Sequence, residues 1–151
     1  LPTDKIVLAT VFRAGLPLHE GFLSYFDKAE NAFVSAYRYY RDKEATKVGI
    51  KIEYIATPDL TGKTLLIVDP MLATGGSMEL AYEAFLSKSK PARTIFASVI
   101  ASKSGVEFMK KHFPSDDFEL YCGAIDPILN EQKYIVPGLG DAGDLEYGGK
   151  L

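Results

Sequence analysis

Apolar and polar positions along the chain fall into blocks of two periods, one near two residues and one near three and a half. Lys5 to Phe12 is an apolar, β-branched run ending at Arg13-Ala14-Gly15, after which Leu18, Phe22, Tyr25 and Phe26 recur on one helical face. Ala32 to Tyr37 predicts a second strand. A polar stretch from Arg38 to Lys47 and an alternating piece from Val48 to Ile55, charged at Lys51 and Glu53, predict an exposed hairpin or flap. After a turn at Thr57-Pro-Asp-Leu-Thr-Gly62, the continuous run Thr64 to Val68 has the character of a strand buried on both faces of a parallel sheet. Met78, Ala81, Tyr82 and Phe85 then follow at helical spacing. The unit repeats: Thr94 to Ile100 predicts a strand, and Ser104-Gly-Val-Glu107 is a capping-box pattern ahead of Val106, Met109 and Phe113 on a helix face. Phe118 to Ala124 predicts a last core strand, and the Gly-, Pro- and Asp-rich tail from Asp126 contains a short strand-like piece, Tyr134 to Val136. Strands alternating with helices predict an α/β class with a mostly parallel sheet and helices on both faces; periodicity leaves strand order open.

The junction after Val68 carries the chemistry. Asp69 stands at the carboxyl end of a buried strand, where open α/β sheets bind ligands. Ala73, Thr74, Gly75 and Gly76 allow close approach of an anion to the backbone, and a helix is expected to begin near Ser77. Its free N–H groups and dipole suit a phosphate, assisted by the Thr74 and Ser77 hydroxyls. No Lys follows the second glycine, so this is not a Walker loop and nucleoside triphosphate hydrolysis is disfavoured.

With 151 residues, 47% of them hydrophobic, the chain suits one domain spanning 1–151 with its own core. A formal net charge of −3 gives no general basic surface, so neither nucleic acid nor membrane is an expected partner. The one cysteine, Cys122, rules out an intramolecular disulfide and agrees with a reducing, cytoplasmic setting. No run approaches the ~20 apolar residues of a membrane span, and no signal peptide is visible. Leu1 is not an initiator Met and the first strand begins a few residues later, so further N-terminal sequence is expected.

Taken with the tail, the loop places the chain near a known family. Val68-Asp-Pro-Met-Leu-Ala-Thr-Gly-Gly-Ser77 resembles the phosphoribosyl-diphosphate signature of the uracil phosphoribosyltransferases, in their form with one acid followed by Pro. Tyr134-Ile-Val-Pro-Gly-Leu-Gly-Asp-Ala-Gly-Asp144 resembles their uracil-binding segment, and Arg13-Ala14-Gly15 matches a third motif. The resemblance runs from about Lys5 to the C-terminus. It implies the type I phosphoribosyltransferase fold, with a flap hairpin at about 38–56 and a small C-terminal hood at about 125–151. Members carry an additional N-terminal stretch of several dozen residues that this sequence lacks, and the flap from Arg38 to Tyr54 departs from their pattern.

What the resemblance implies for the site is specific. Arg13 and Arg38 are expected on the diphosphate, with Arg41 competing for the second role; guanidinium forks suit phosphate oxygens. Asp69 resembles the acid on the ribose hydroxyls, while Pro70, Met71, Leu72, Ala73, Thr74, Gly75, Gly76 and Ser77 surround the 5′-phosphate. Main-chain groups near Ile135, Gly140 and Ala142 are expected to read uracil, and Asp141 to act near the diphosphate. Asp69, Arg13 and Asp141 are the candidate catalytic residues. Asp144 is open between similar work and a turn cap. Gly138-Leu-Gly-Asp-Ala-Gly143 formally satisfies a dinucleotide fingerprint, but only eight residues follow it, too few for the helix and second strand. His19, His112 and Cys122 read as structural. Mg²⁺ is expected to arrive on the substrate rather than in a protein cage. A homodimer or higher homo-oligomer is implied by the resemblance alone. The alternatives are another base on the same scaffold, a nucleotide-sensing regulator of this fold, or an inactive fragment.

Overall fold

The computed structural model describes residues 5–40, 48–113 and 118–149. The elements follow in the order β1 (Ile6–Val11), α1 (Leu16–Leu23), β2 (Glu30–Tyr40), β3 (Val48–Ala56), β4 (Thr64–Val68), β5 (Met71–Leu72), α2 (Gly76–Leu86), β6 (Arg93–Ser102), α3 (Lys103–His112), β7 (Phe118–Asp126), β8 (Ile128–Leu129), β9 (Ile135–Val136) and α4 (Ala142–Tyr147). The main sheet runs β3-β2-β1-β4-β6, with β7 on the outer side of β6. All its pairings are parallel except β2 with β3. β5 prolongs the line of β4: Val68 faces Ala97 and Met71 faces Ile100, the same offset, so Asp69 and Pro70 interrupt a single edge of β6. The loops after β1, β4 and β6 therefore emerge at one end of the sheet.

β4 shows why the sheet needs cover on both sides. Leu65 and Ile67 pack with Met78 and Phe85 of α2, Phe96 of β6 and Met109 of α3. Leu66 and Val68 turn to the other face, against Leu18 and Phe22 of α1 and against Phe26. A strand whose consecutive residues are all apolar is stable only in such a sandwich. Phe96, Phe113 and Phe118 are mutually in contact, with ring centroids 5.2–5.3 Å apart, and close the core beneath α2 and α3.

Three expectations are corrected. Tyr25 does not join the α1 face: the helix ends at Leu23, and Tyr25 is 84% exposed while Leu23 packs instead. β7 is an edge strand buried on one face only; Phe118, Leu120 and Cys122 pack inward, whereas Tyr121 and Ile125 face outward. The α3 cap is Ser102, two residues before the expected Ser104, because its Oγ accepts the Gly105 N–H at 2.8 Å. His19 is structural in its setting: it is buried, its ring lies 5.0 Å from that of Phe33, and its Nε2 is 2.7 Å from Asn31 Oδ1. Burial lowers its pKa, partly offset by the Asn31 bond. No helix among the described residues is long and apolar enough to cross a membrane.

Candidate functional site

The strand-to-helix junction is built around one carboxylate and one uncapped helix. Asp69 accepts the Met71 N–H at 3.3 Å, and the Pro70 carbonyl takes the N–H groups of Val99 and Ile100 at 3.2 and 3.1 Å. Burial pushes the Asp69 carboxyl up to about 6, opposed by the Met71 bond. Gly75, the residue before α2, has φ +87° and offers no side-chain cap; the N–H of Gly76 is donated to the Thr74 hydroxyl, and those that follow it at the helix start suit a ligand. The Thr74 hydroxyl lies 3.4 Å from the Gly76 nitrogen. A hollow of about 50 Å³ is enclosed by Asp69, residues 71–75, Ser77 and Met78.

The loop is held from behind by α3. Ser102 Oγ donates to the Ala73 carbonyl at 2.5 Å while it caps α3. Gly105 lies so near that a Cβ there would sit 2.5 Å from the same carbonyl. Ser102→Ala is expected to cost about 1–2 kcal/mol of stability, the range of a lost cap and a buried bond, read as a lower midpoint in urea unfolding. An unchanged midpoint would show that the loop is held by other contacts.

Across the cleft, Arg13 follows β1 in a tight turn in which Gly15 leaves no room for a side chain: a Cβ would lie 1.8 Å from Thr10 Oγ1. The Phe12–Arg13 and Val136–Pro137 peptide bonds are cis. Arg13 Nη2 donates to Asp144 Oδ1 at 2.9 Å and to the Gly148 carbonyl at 3.3 Å. Asp141 is the N-cap of α4, accepting the Asp144 N–H at 2.9 Å, and Asp126 Oδ2 accepts the Gly138 N–H at 2.9 Å. The cap within this turn is thus Asp141, and Asp144 is free of that duty and pairs with Arg13.

These pieces frame an open cleft of about 430 Å³ between Arg13, Asp69, Met71, Ala73, Ser77, Asp141 and Gly143. Arg13, Asp69 and Asp141, far apart in sequence, are brought together. Gly140, in the turn with φ +85°, and Ala142, at the start of α4, adjoin Asp141 in the chain, and Ile135 is a buried residue of β9; none of the three is in the lining of the cleft. The main chain of Arg38 pairs with Ile50 in the β2–β3 ribbon, and Arg41 lies outside the described residues. Ser102 and Asp126 have no place in the motif reading, and Gly105 stands there only as a position inside the Ser104–Glu107 capping-box pattern. The signal for Ser102 was a hydroxyl three residues before Gly105; Asp126 had none. Among the described residues no group of three or more His, Cys, Asp or Glu is placed to hold a metal ion.

The family model for uracil phosphoribosyltransferase matches residues 1–149. A uracil phosphoribosyltransferase of Porphyromonas gingivalis is 58% identical over 151 residues, which are all of this chain and 68% of the relative. A solved structure of the protein AQ2163 from Aquifex aeolicus superposes with a TM-score of 0.82 at 36% identity, over 98% of this chain and 67% of that one. A purine phosphoribosyltransferase from Pyrococcus horikoshii shares the fold, with a TM-score of 0.55 at 16% identity, over 83% of this chain and 81% of that one.

Proposed function

Because this chain belongs to the uracil phosphoribosyltransferase family, we propose that it transfers the phosphoribosyl group of 5-phosphoribosyl 1-diphosphate to uracil, giving UMP and diphosphate in pyrimidine salvage. The whole chain serves as one phosphoribosyltransferase domain of the type I fold, with 38–56 as flap and 125–151 as the base-binding hood. The observation that supports this most is the arrangement of Arg13 and Asp69 across a cleft at whose floor the uncapped start of α2 stands.

In this reading the 5′-phosphate occupies the hollow of residues 71–77, on the N–H groups of α2. Asp69 accepts hydrogen bonds from the ribose hydroxyls, and Arg13, with Arg38 from the flap, holds the diphosphate. Uracil N1 forms its bond to the anomeric carbon with inversion while the bond to the diphosphate oxygen breaks. The leaving group departs with the electron pair, and the N1 proton passes to solvent. Positive charge develops on the ribose ring and negative charge on the diphosphate, so fixed charges around them lower the barrier and no enzyme nucleophile is needed.

Base choice falls to the main chain. Uracil presents an N–H donor between two carbonyl acceptors, and backbone groups near Ile135, Gly140 and Ala142 match that order. Cytosine, with donor and acceptor exchanged at the amino position, leaves them unpaired. Bound together with the diphosphate, Mg²⁺ would supply charge neutralisation, and Asp69 and Asp141 of the cleft lining are the carboxylates that would face it. A cytoplasmic homodimer or higher homo-oligomer is the expected working form.

The test is conversion with phosphoribosyl diphosphate and Mg²⁺ of uracil, cytosine, hypoxanthine and orotate in parallel. Turnover of uracil alone is the expected result. If no base reacts while phosphoribosyl diphosphate still binds, a ligand-sensing role on this fold replaces the enzyme; turnover of another base reassigns the hood.

A further inference from the structure

Arg13 and Asp144, 131 positions apart, make the described contact between the β1 turn and the last helix that joins two opposite charges. The pair is half-exposed, at 37% and 41% of the side-chain surface, and such pairs contribute little to stability. Orientation is the better account of it. An arginine side chain has many rotamers, and here both named acceptors, Asp144 Oδ1 and the Gly148 carbonyl, sit on Nη2, while Tyr147 lies with its ring centroid 5.8 Å from the guanidinium carbon. The Nε–H is buried with no protein partner among the described residues. Nη2 of the guanidinium is therefore clamped by α4, while Arg13 lines the cleft and keeps N–H donors beyond those two bonds for an anion.

Asp144 is clamped in turn. Its own N–H is donated to Asp141 Oδ1, and Gly143 beside it is close to the same oxygen, since a Cβ there would lie 3.3 Å from Asp141 Oδ1. Resting on the transfer reaction above, we infer that Asp144 is a positioning residue: it fixes Arg13 over the cleft, so the arginine presents its remaining donors to the diphosphate only when α4 is folded over the base side. The hood that reads uracil and the arginine that faces the leaving group then form one unit.

The experiment compares Asp144→Ala, Asp144→Asn, Arg13→Ala and the Arg13→Ala/Asp144→Ala double variant. Magnesium diphosphate is titrated into each by calorimetry, and steady-state kinetics with uracil run alongside. Asp144→Ala is expected to raise Kd for magnesium diphosphate and KM for phosphoribosyl diphosphate about tenfold, with a smaller change in the KM for uracil. Asp144→Asn keeps an acceptor of the same shape and recovers most of that loss. In the Arg13→Ala background, Asp144→Ala adds nothing further.

Additive losses in the double variant would show that Asp144 acts on the fold of α4 and not through Arg13. Unchanged binding in Asp144→Ala would show that the carboxylate does not position Arg13, and tighter binding would show that it repels the ligand; either result overturns the inference. Thermal unfolding of each variant separates a melted hood from a misplaced arginine, and the isosteric Asp144→Asn keeps the test alive if the alanine variant unfolds. A wild-type protein that shows the coupling in diphosphate binding yet makes no UMP overturns the transfer reading alone.

Discussion

Asp69→Asn is expected to slow uracil transfer about a hundredfold or more and, in the same protein, to raise stability at neutral pH. Both effects come from one burial. The carboxyl lies at the junction of β4 and α2, half-buried at the edge of the cleft, where desolvation lifts its pKa to about 6 and the Met71 backbone N–H opposes the shift. Ionising it costs the folded protein at most about 3 kcal/mol, from roughly two units of displacement at 1.36 kcal/mol each. The sign follows from proton counting. Between the ordinary carboxylate range and pH 6 the folded state binds more protons than the unfolded one, so this group's contribution falls as pH rises through that window and is least favourable above it. Urea unfolding of the wild type against the Asn variant, at pH 4.5 and at pH 8, checks it: the variant gains at pH 8 and much less at pH 4.5. A ribose diol donates to the carboxylate and restores what burial removed, so phosphoribosyl diphosphate binding near pH 6 is expected to release protons. An Asn variant that keeps full turnover would remove Asp69 from the site.

The contrast between Asp69 and its supports shows what the sequence could say. Asp69, the glycines and the hydroxyls of the loop are contiguous, and the strand and helix beside them have strong periods of their own, so the junction reads directly from residues 64–85. Its buttress does not. Ser102 reaches Ala73 from another strand end, and Gly105 matters because a neighbouring carbonyl passes 2.5 Å from where its Cβ would be. Such contacts depend on strand order, which a hydrophobic pattern does not encode. The same holds for Asp144, whose local sequence fits a turn cap equally well until Arg13 is seen beside it. Tyr25 and β7 went the other way. Their apolar residues fit the period, but the helix stops short of one and the sheet ends at the other.

Gly75→Ala carries the second large effect, and its two causes are separable. At φ +87° an alanine pays the left-handed penalty of about 1–2 kcal/mol. Its Cβ would also lie 2.4 Å from Cδ1 of Phe108, a half-buried ring of α3 packed against the core, and such overpacking costs about 1–3 kcal/mol. A combined loss of roughly 2–5 kcal/mol is expected. Gly76→Ala is the control, because Gly76 is the first helical residue and its Cβ would meet only Thr74 Oγ1, at 3.6 Å. Phe108→Ala removes the collision at its own cost in packing, so Gly75→Ala is expected to cost less stability in that background than in the wild type, the part due to the collision being recovered and the backbone strain remaining. Binding of inorganic phosphate, titrated in the same variants, separates packing from geometry. The N–H groups of α2 hold an anion only where Gly75 turns them, so binding stays weak in the double variant even as stability recovers. Recovery of both together would place the whole constraint in the ring of Phe108; recovery of stability alone places the anion site in the backbone turn at Gly75.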